Sequence, residues 1–261
     1  MEEFTISLAE IPIGIRPLCP EIQPFFTDYL SEEAPRFTVA ASKKDLEYEQ
    51  TMFDRRNGEE LLLPPRSASS LEVSALLRKI ANRIDEYDTL LFHGSVVAVD
   101  GKAYLFTAPS GTGKTTHTRL WLQQLPQAFI LNGDKPFLKA DSSGHVLACG
   151  TPWMGKEQFG RNLILPLEAI CILERAKENH IASVTQKEAG RELLHRAHLP
   201  DGIAGVHAIE LLNRIVREVR LFRLGCNMEA EAAQVSIRAM LNGSSADRQA
   251  EDEACSLRVN E

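Results

Sequence analysis

No Cys-x-x-Cys pair occurs among the five cysteines, Cys19, Cys149, Cys171, Cys226 and Cys255. Their wide spacing and odd number exclude a zinc ribbon or a disulfide framework as the organising device, so reduced, mostly buried thiols are expected. No apolar run approaches the length that crosses a bilayer, which excludes a membrane-spanning helix. Positive charge is not in excess either: the formal net charge is −7, which argues against a protein that grips nucleic-acid backbones. The opening Met1-Glu2-Glu3-Phe4 lacks the basic region and apolar core of a signal peptide, so the expected compartment is the cytoplasm. Internal repeats are absent. What is present is ordinary for a globular protein, with 44% hydrophobic and 25% charged residues over 261 positions. That length supports one large or two small domains with a sizeable core.

The chain is organised around Ala108-Pro109-Ser110-Gly111-Thr112-Gly113-Lys114-Thr115-Thr116. An apolar run, 103–107, leads into it and a helical segment, 115–125, leads out. A strand, a glycine-rich loop and a helix opening on Lys-Thr form a phosphate cradle, because loop amides and the helix N-terminus favour an anion there. Ser110, Gly111, Thr112, Gly113, Lys114, Thr115 and Thr116 are the predicted cofactor-binding residues, for ATP. Lys114 would reach the β/γ-phosphates, and Thr115 would offer its hydroxyl to Mg²⁺. Ala108 stands where a first glycine is usual.

Before this loop, residues 1–89 read as an α/β lead-in. Alternating apolar residues from Phe4 to Ile15 predict strands, with Pro12 and Pro17 pointing to an edge or irregular position. A short helix is expected over 21–30 and a strand over 37–41, while 45–53 is helical or extended. Pro64 to Ser69 reads as a loop whose serines can cap the next helix. Leu71, Leu76, Leu77, Ile80, Ile84 and Tyr87 mark one face of that helix.

Asp100-Gly101, between the runs 91–99 and 102–107, is a strong hairpin signal. If it forms a two-residue turn, Val99 faces Lys102 and His93 falls opposite Ala108. The cradle strand then has an antiparallel neighbour, so the sheet is mixed. A histidine at that place can bind metal, steady transferring charge, or simply pack. The run 128–131 enters Asn132-Gly133-Asp134, where a P-loop enzyme keeps a second metal-binding carboxylate. Asp134 is therefore a candidate Mg²⁺ ligand with Thr115, a general base toward an acceptor hydroxyl, or a turn-capping residue. A second hairpin is expected around 141–144. The segment from Gly150 to Asn162 reads as a functional loop. In it Lys156 and Arg161 can meet an anion, Glu157 can hold metal or substrate, and Trp153 can anchor the segment.

Further on, 169–173 reads as a buried strand with 180–185 as its neighbour, and 186–197 as a helix. Ile203, Val206, Ile209, Leu212, Ile215 and Val216 mark another helix, and 219–224 a strand. A final helix over 228–241 is capped by Asn227. Residues 242–261 have the composition of a disordered tail.

Phe92-His93-Gly94 on a hairpin, Ser110 to Thr116, and Asn132-Gly133-Asp134 together resemble the catalytic domain of HPr kinase/phosphorylase. They also resemble the nucleotide domain of ATP-dependent phosphoenolpyruvate carboxykinase. The resemblance implies a P-loop-containing α/β fold with a mixed sheet and a catalytic domain over 90–241 with C-terminal helices, following the α/β lead-in and preceding the tail that the sequence itself marks out. It implies an ATP- and Mg²⁺-dependent kinase acting on a hydroxyl, serine-like, in a protein, a peptide or a free molecule. His93, Lys114 and Asp134 are the implied catalytic residues, and Glu157 in the 150–162 loop is a further catalytic candidate read from the sequence itself. HPr kinases carry two adjacent aspartates after the strand, whereas Gly133 occupies the first position here. That leaves the base to Asp134 alone or to Glu157. A nucleotide-binding regulatory protein without chemistry and a carboxykinase-like enzyme are the alternatives. Relatives of this fold often assemble, which leaves a homo-oligomer open.

Overall fold

The computed structural model describes residues 2–57 and 66–241. The expected tail at 242–261 and the start of the Pro64–Ser69 loop lie outside those residues. Two β-sheets and the helices on them make a mixed α/β fold.

The first sheet begins with β1 (Phe4–Leu8) and β2 (Ile11–Arg16), an antiparallel hairpin. Its turn, Ala9-Glu10, takes positive φ at both residues. A 3₁₀ segment, Pro20–Tyr29, replaces the expected short helix and contains Pro24. Next come β3 (Leu30–Ser31) and β4 (Phe37–Ala40), giving the order β3-β1-β2-β4. Pro12 is thus in an interior strand, contrary to expectation. It sits at the start of the parallel ladder with β4, where its carbonyl accepts from the Arg36 N–H at 2.8 Å, so its missing donor is tolerated.

Residues 45–53 fall within a helix, α1 (Lys43–Asn57). In α2 (Ala68–Ala81) the Ser67 hydroxyl accepts from the Ser70 N–H, a cap worth about 1 kcal/mol. The helix stops at Ala81, and Ile84 and Tyr87 continue its apolar face from a separate 3₁₀ turn. Leu76, Ile80 and Ile84 pack with Ile13, Ile22 and Phe26, but also with Leu91, Phe137, Cys149 and Trp153. The first ninety residues therefore share a core with the second sheet and its loops.

That second sheet is built from β5 (Thr89–Leu91), β6 (Ser95–Val99), β7 (Lys102–Thr107), β8 (Phe129–Asn132), β9 (Phe137–Ala140), β10 (Val146–Cys149), β11 (Ile164–Arg175), β12 (His180–Ser183) and β13 (Arg220–Cys226). Asp100 and Gly101 both take positive φ, and Val99 faces Lys102 as the turn predicts. β7 lies between antiparallel β6 and parallel β11, so the sheet is mixed. β11 is long enough to serve two neighbourhoods: its start pairs with β10 and the remainder lies between β7 and β13. β12 pairs with β13 and not with β11, which corrects the expected contact between 180–185 and 169–173.

α3 (Lys114–Gln124) carries the end of the cradle. Its Trp121 and His117 both bond the Ser236 hydroxyl, at 2.8 and 3.0 Å, from the helix over 230–241. α4 (Gln186–Leu194) and α5 (Ile203–Glu218) cover the sheet elsewhere. The α5 face is narrower than its sequence suggests. Ala208, Leu211, Leu212 and Ile215 are buried, whereas Ile203 is 90% exposed and Val206 58%. Among the described residues no helix is long and apolar enough to cross a membrane.

Burial of His117 pushes its pKa from 6.5 down to about 4. The neutral ring fits the fold and the charged ring does not. This contribution to stability is complete above the unfolded-state value and is lost as pH falls from 6.5 toward 4. By linkage it amounts to roughly 3 kcal/mol. Denaturant melts at about pH 7.5 and about pH 4.5 should show wild type losing more stability than His117→Gln by an amount of that order. Equal losses would contradict it.

Candidate active site

Four segments meet at one end of β7. Phe92 N–H donates to the Pro136 carbonyl at 3.1 Å and Gly94 N–H to the Asp134 carbonyl at 3.0 Å, so 92–94 runs beside 134–136. His93 N–H donates to Arg196 O at 2.8 Å, and the Thr107 hydroxyl to His93 O at 2.8 Å. The strand ladder ends at Ser95–Phe106, so His93 is not paired across from Ala108. It reaches the cradle as a loop residue. Gly94 is needed for this approach: a Cβ there would lie 3.0 Å from Phe106 O and from a Leu105 methyl.

The loop from Ala108 to Gly113 is a tight turn in which the Thr112 N–H donates to Pro109 O at 3.3 Å. Gly111 and Gly113 take φ of 76° and 117°, yet an added Cβ would meet nothing within 4 Å at either. Backbone conformation, not space, is what glycine supplies here. Lys114 Nζ donates to Ala108 O at 2.9 Å. From outside, Arg175 at the end of β11 donates to Gly111 O at 2.7 Å. Sequence reasoning did not assign Arg175; its only signal was a charged residue closing an apolar strand.

Asp134 is placed by Asn132, which is fully buried. The Asn132 side-chain carbonyl accepts from the N–H groups of Asp134 and Lys135 at 2.9 and 2.7 Å. Its amide donates to Thr151, and the Thr151 hydroxyl donates to Lys135 O. Asn132 and Thr151 both lie in stretches that the sequence marks out, but nothing in it assigns either of them this role. The turn brings Asp134 Oδ1 to 3.3 Å from His93 Nε2. Burial tends to raise the Asp134 pKa, but the His93 hydrogen bond and the charges of Lys135 and Lys114 win and hold it below the ordinary carboxylate value. Burial pushes Lys114 below the usual lysine value; Asp134 acts the other way and Arg196 adds to the lowering.

These groups line one cavity of about 490 Å³. It includes His93, Ser110, Gly111, Gly113, Lys114, Thr115, Thr116, Asp134 and Glu157. Of the expected cradle residues, Thr112 alone is outside the lining. Glu157 reaches the cavity from the 150–162 loop and is ion-paired with Arg119 of α3 at 2.5 Å. Arg161 is placed differently from expectation. Its guanidinium lies 4.0 Å from the Phe129 ring centroid, and it packs there instead of facing the cradle. Trp153 anchors the loop on the first ninety residues, donating to Val73 O at 3.1 Å and packing edge-on to Phe25 and Phe26.

Gly133 has a steric reason. A Cβ there would stand 2.6 Å from Met154 O and 3.3 Å from Phe159 O. The 150–162 loop closes directly over this backbone, so no second aspartate fits beside Asp134.

Thr115 and Asp134 offer hydroxyl and carboxylate oxygens, which suit Mg²⁺. Among the described residues no group of three or more His, Cys, Asp or Glu side chains is arranged to hold a metal. A divalent ion here would need water or phosphate oxygens as further ligands, as Mg²⁺ in nucleotide sites usually has.

A family model for the SynChlorMet cassette protein ScmC matches residues 64–247. The chain belongs to the ScmC family. The match begins just ahead of α2 and runs through the cradle, the Asp134 turn, α4, α5 and the helix over 230–241. No curated protein matches this ScmC-family chain. Among solved structures it is similar to the HPr(Ser) kinase/phosphatase from Coxiella burnetii, at 9% identity and a TM-score of 0.38. That similarity covers 64% of this chain and 97% of the other.

Proposed function

We propose that this ScmC-family chain binds ATP with Mg²⁺ and transfers the γ-phosphoryl group to a hydroxyl of serine type. The observation that carries the reading is the convergence of Lys114, Thr115 and the His93–Asp134 pair on one cavity. Phosphoryl transfer needs little covalent help from a protein. It needs positioned reactants and fixed charge where charge develops. The loop amides and Lys114 hold the phosphates. Thr115 and Asp134 would hold Mg²⁺, which supplies neutralising charge on the β- and γ-phosphates.

Asp134 is the preferred base. Its Oδ1 is engaged by His93, which fixes the carboxylate and leaves Oδ2 to face both the metal and the acceptor hydroxyl. The acceptor oxygen forms its bond to phosphorus, its proton passes to Asp134, and the bond to the bridging oxygen breaks to release ADP. Glu157 stands second, because its exposed partner Arg119 already holds it. ATP and ADP are thus the nucleotide partners.

Calorimetric titration with ATP and Mg²⁺ tests the nucleotide half of this reading. Lys114→Ala removes one charge-assisted hydrogen-bond donor, so the affinity should fall about tenfold to a hundredfold. Unchanged affinity would place the phosphates elsewhere.

A further inference from the structure

A second cavity, of about 760 Å³, adjoins the first. It lies between α1, α2 and the turn 152–158, and both cavities are lined by Asp134, Met154, Gly155 and Lys156. The proposed base therefore stands at their junction. One wall is apolar, with Phe25, Val73 and Trp153. Trp153 is fixed there by its bond to Val73 O and its contact with Phe25.

The remaining lining has a charge preference. Arg78 is neutralised by Asp45 and Glu49, at 3.1 and 2.7 Å. Among the described residues Arg66 bonds hydroxyl and carbonyl oxygens of Ser70 and Ser74 and lies over Phe53. Lys135 and Lys156 have no carboxylate within ion-pair distance among the described residues. With Glu21 and, at the junction, Asp134 as the opposing acids, Arg66, Lys135 and Lys156 still leave an excess of positive charge.

We infer that this second cavity is the acceptor site. It takes a hydroxyl compound that also carries an apolar group of aromatic size and an anionic group. A free hydroxy amino acid would leave most of the volume unfilled, since pockets of this size suit ligands of drug-like dimensions. The aromatic group packs on Trp153 and Val73, the anion meets Lys135, and the hydroxyl faces Asp134. Binding of such a ligand stands on the cavity alone, whereas its role as acceptor rests on the transfer reading above. A small molecule and a peptide segment can both present this chemistry.

The test uses N-acetyl-seryl-phenylalanine as the probe, with full-length protein and calorimetric or NMR detection. Its affinity should exceed those of its C-terminal amide and of N-acetyl-seryl-glycine by roughly tenfold or more, one lost anchor in each case. Val73→Trp fills the cavity and should abolish probe binding while ATP still binds. If that variant melts early, Met52→Trp fills the space from α1 instead. Lys135→Glu should remove the preference for the carboxylate over the amide. A longer peptide with serine, phenylalanine and aspartate in its interior separates the sources: binding equal to the probe assigns a chain segment, and weaker binding a free molecule. Three probes of equal affinity, or probe binding unchanged in the filled variants, would overturn the site. Probe binding without ATP-dependent phosphorylation would keep the site and sink its acceptor role. Phosphorylation of free serine as fast as of the probe would keep the kinase and sink the site.

Discussion

Asp134→Asn should leave ATP bound within a few-fold while lowering γ-phosphoryl transfer by about 10²- to 10⁴-fold, the range of a lost general base. Asparagine keeps the size of the side chain and an oxygen for His93 Nε2, so the turn built by Asn132 and Thr151 survives. What it loses is the capacity to take a proton and to offer charge to Mg²⁺. In wild type, the His93 hydrogen bond and the neighbouring lysines outweigh burial and depress the Asp134 pKa. The carboxylate therefore stays ionised to lower pH than an ordinary aspartate. Any acidic fall in rate through the ordinary carboxylate range should then be the same with and without Asp134 as the titrating group. A steady-state rate profile of both proteins checks this, and full transfer by Asp134→Asn would move the base to Glu157.

Gly133→Asp should damage the site, although it supplies the second carboxylate that HPr kinases carry. The new Cβ meets Met154 O at 2.6 Å, and a backbone carbonyl cannot rotate away as a side chain can. The 150–162 loop must lift, taking Trp153 off Phe25 and Phe26. Overpacking of this kind costs about 1–3 kcal/mol, and more where backbone must move. The expected result is a lowered melting temperature and transfer reduced with it. A variant as stable as wild type and more active would show that the loop yields freely and that a second carboxylate is useful here.

Local chemistry made the centre of this fold legible. Asp100-Gly101 can take positive φ at both positions, and with a two-residue turn the register of β6 and β7 comes by counting. The glycines of the cradle were readable for the same reason: they answer a backbone requirement. What was not legible depends on partners distant in sequence. β11 extends the apolar run 169–173 back through Glu168 and Pro166, and nothing local says that this first part pairs with β10 or that β13 inserts beside the rest. Pro12 looked like an edge residue because its tolerance depends on where β4 begins. Ile203 and Val206 have helical spacing, but the part of α5 that carries them extends past the core. Within the site, His93 and Asp134 were singled out separately, and their 3.3 Å contact comes from backbone bonds between 92–94 and 134–136. Arg161 looked available for an anion because nothing local reveals that Phe129 lies under it. Gly133 read as a missing function, whereas the loop above it makes it a spatial necessity.

The central claim is that phosphate leaves ATP in this cradle. It is tested most directly by following γ-labelled ATP with Mg²⁺ and the wild-type protein, with and without N-acetyl-seryl-phenylalanine, beside Lys114→Ala. The account predicts label on the serine hydroxyl in wild type and a rate lower by about 10²- to 10³-fold in the variant. Label that stays on tightly bound ATP, or transfer unchanged by Lys114→Ala, would contradict it.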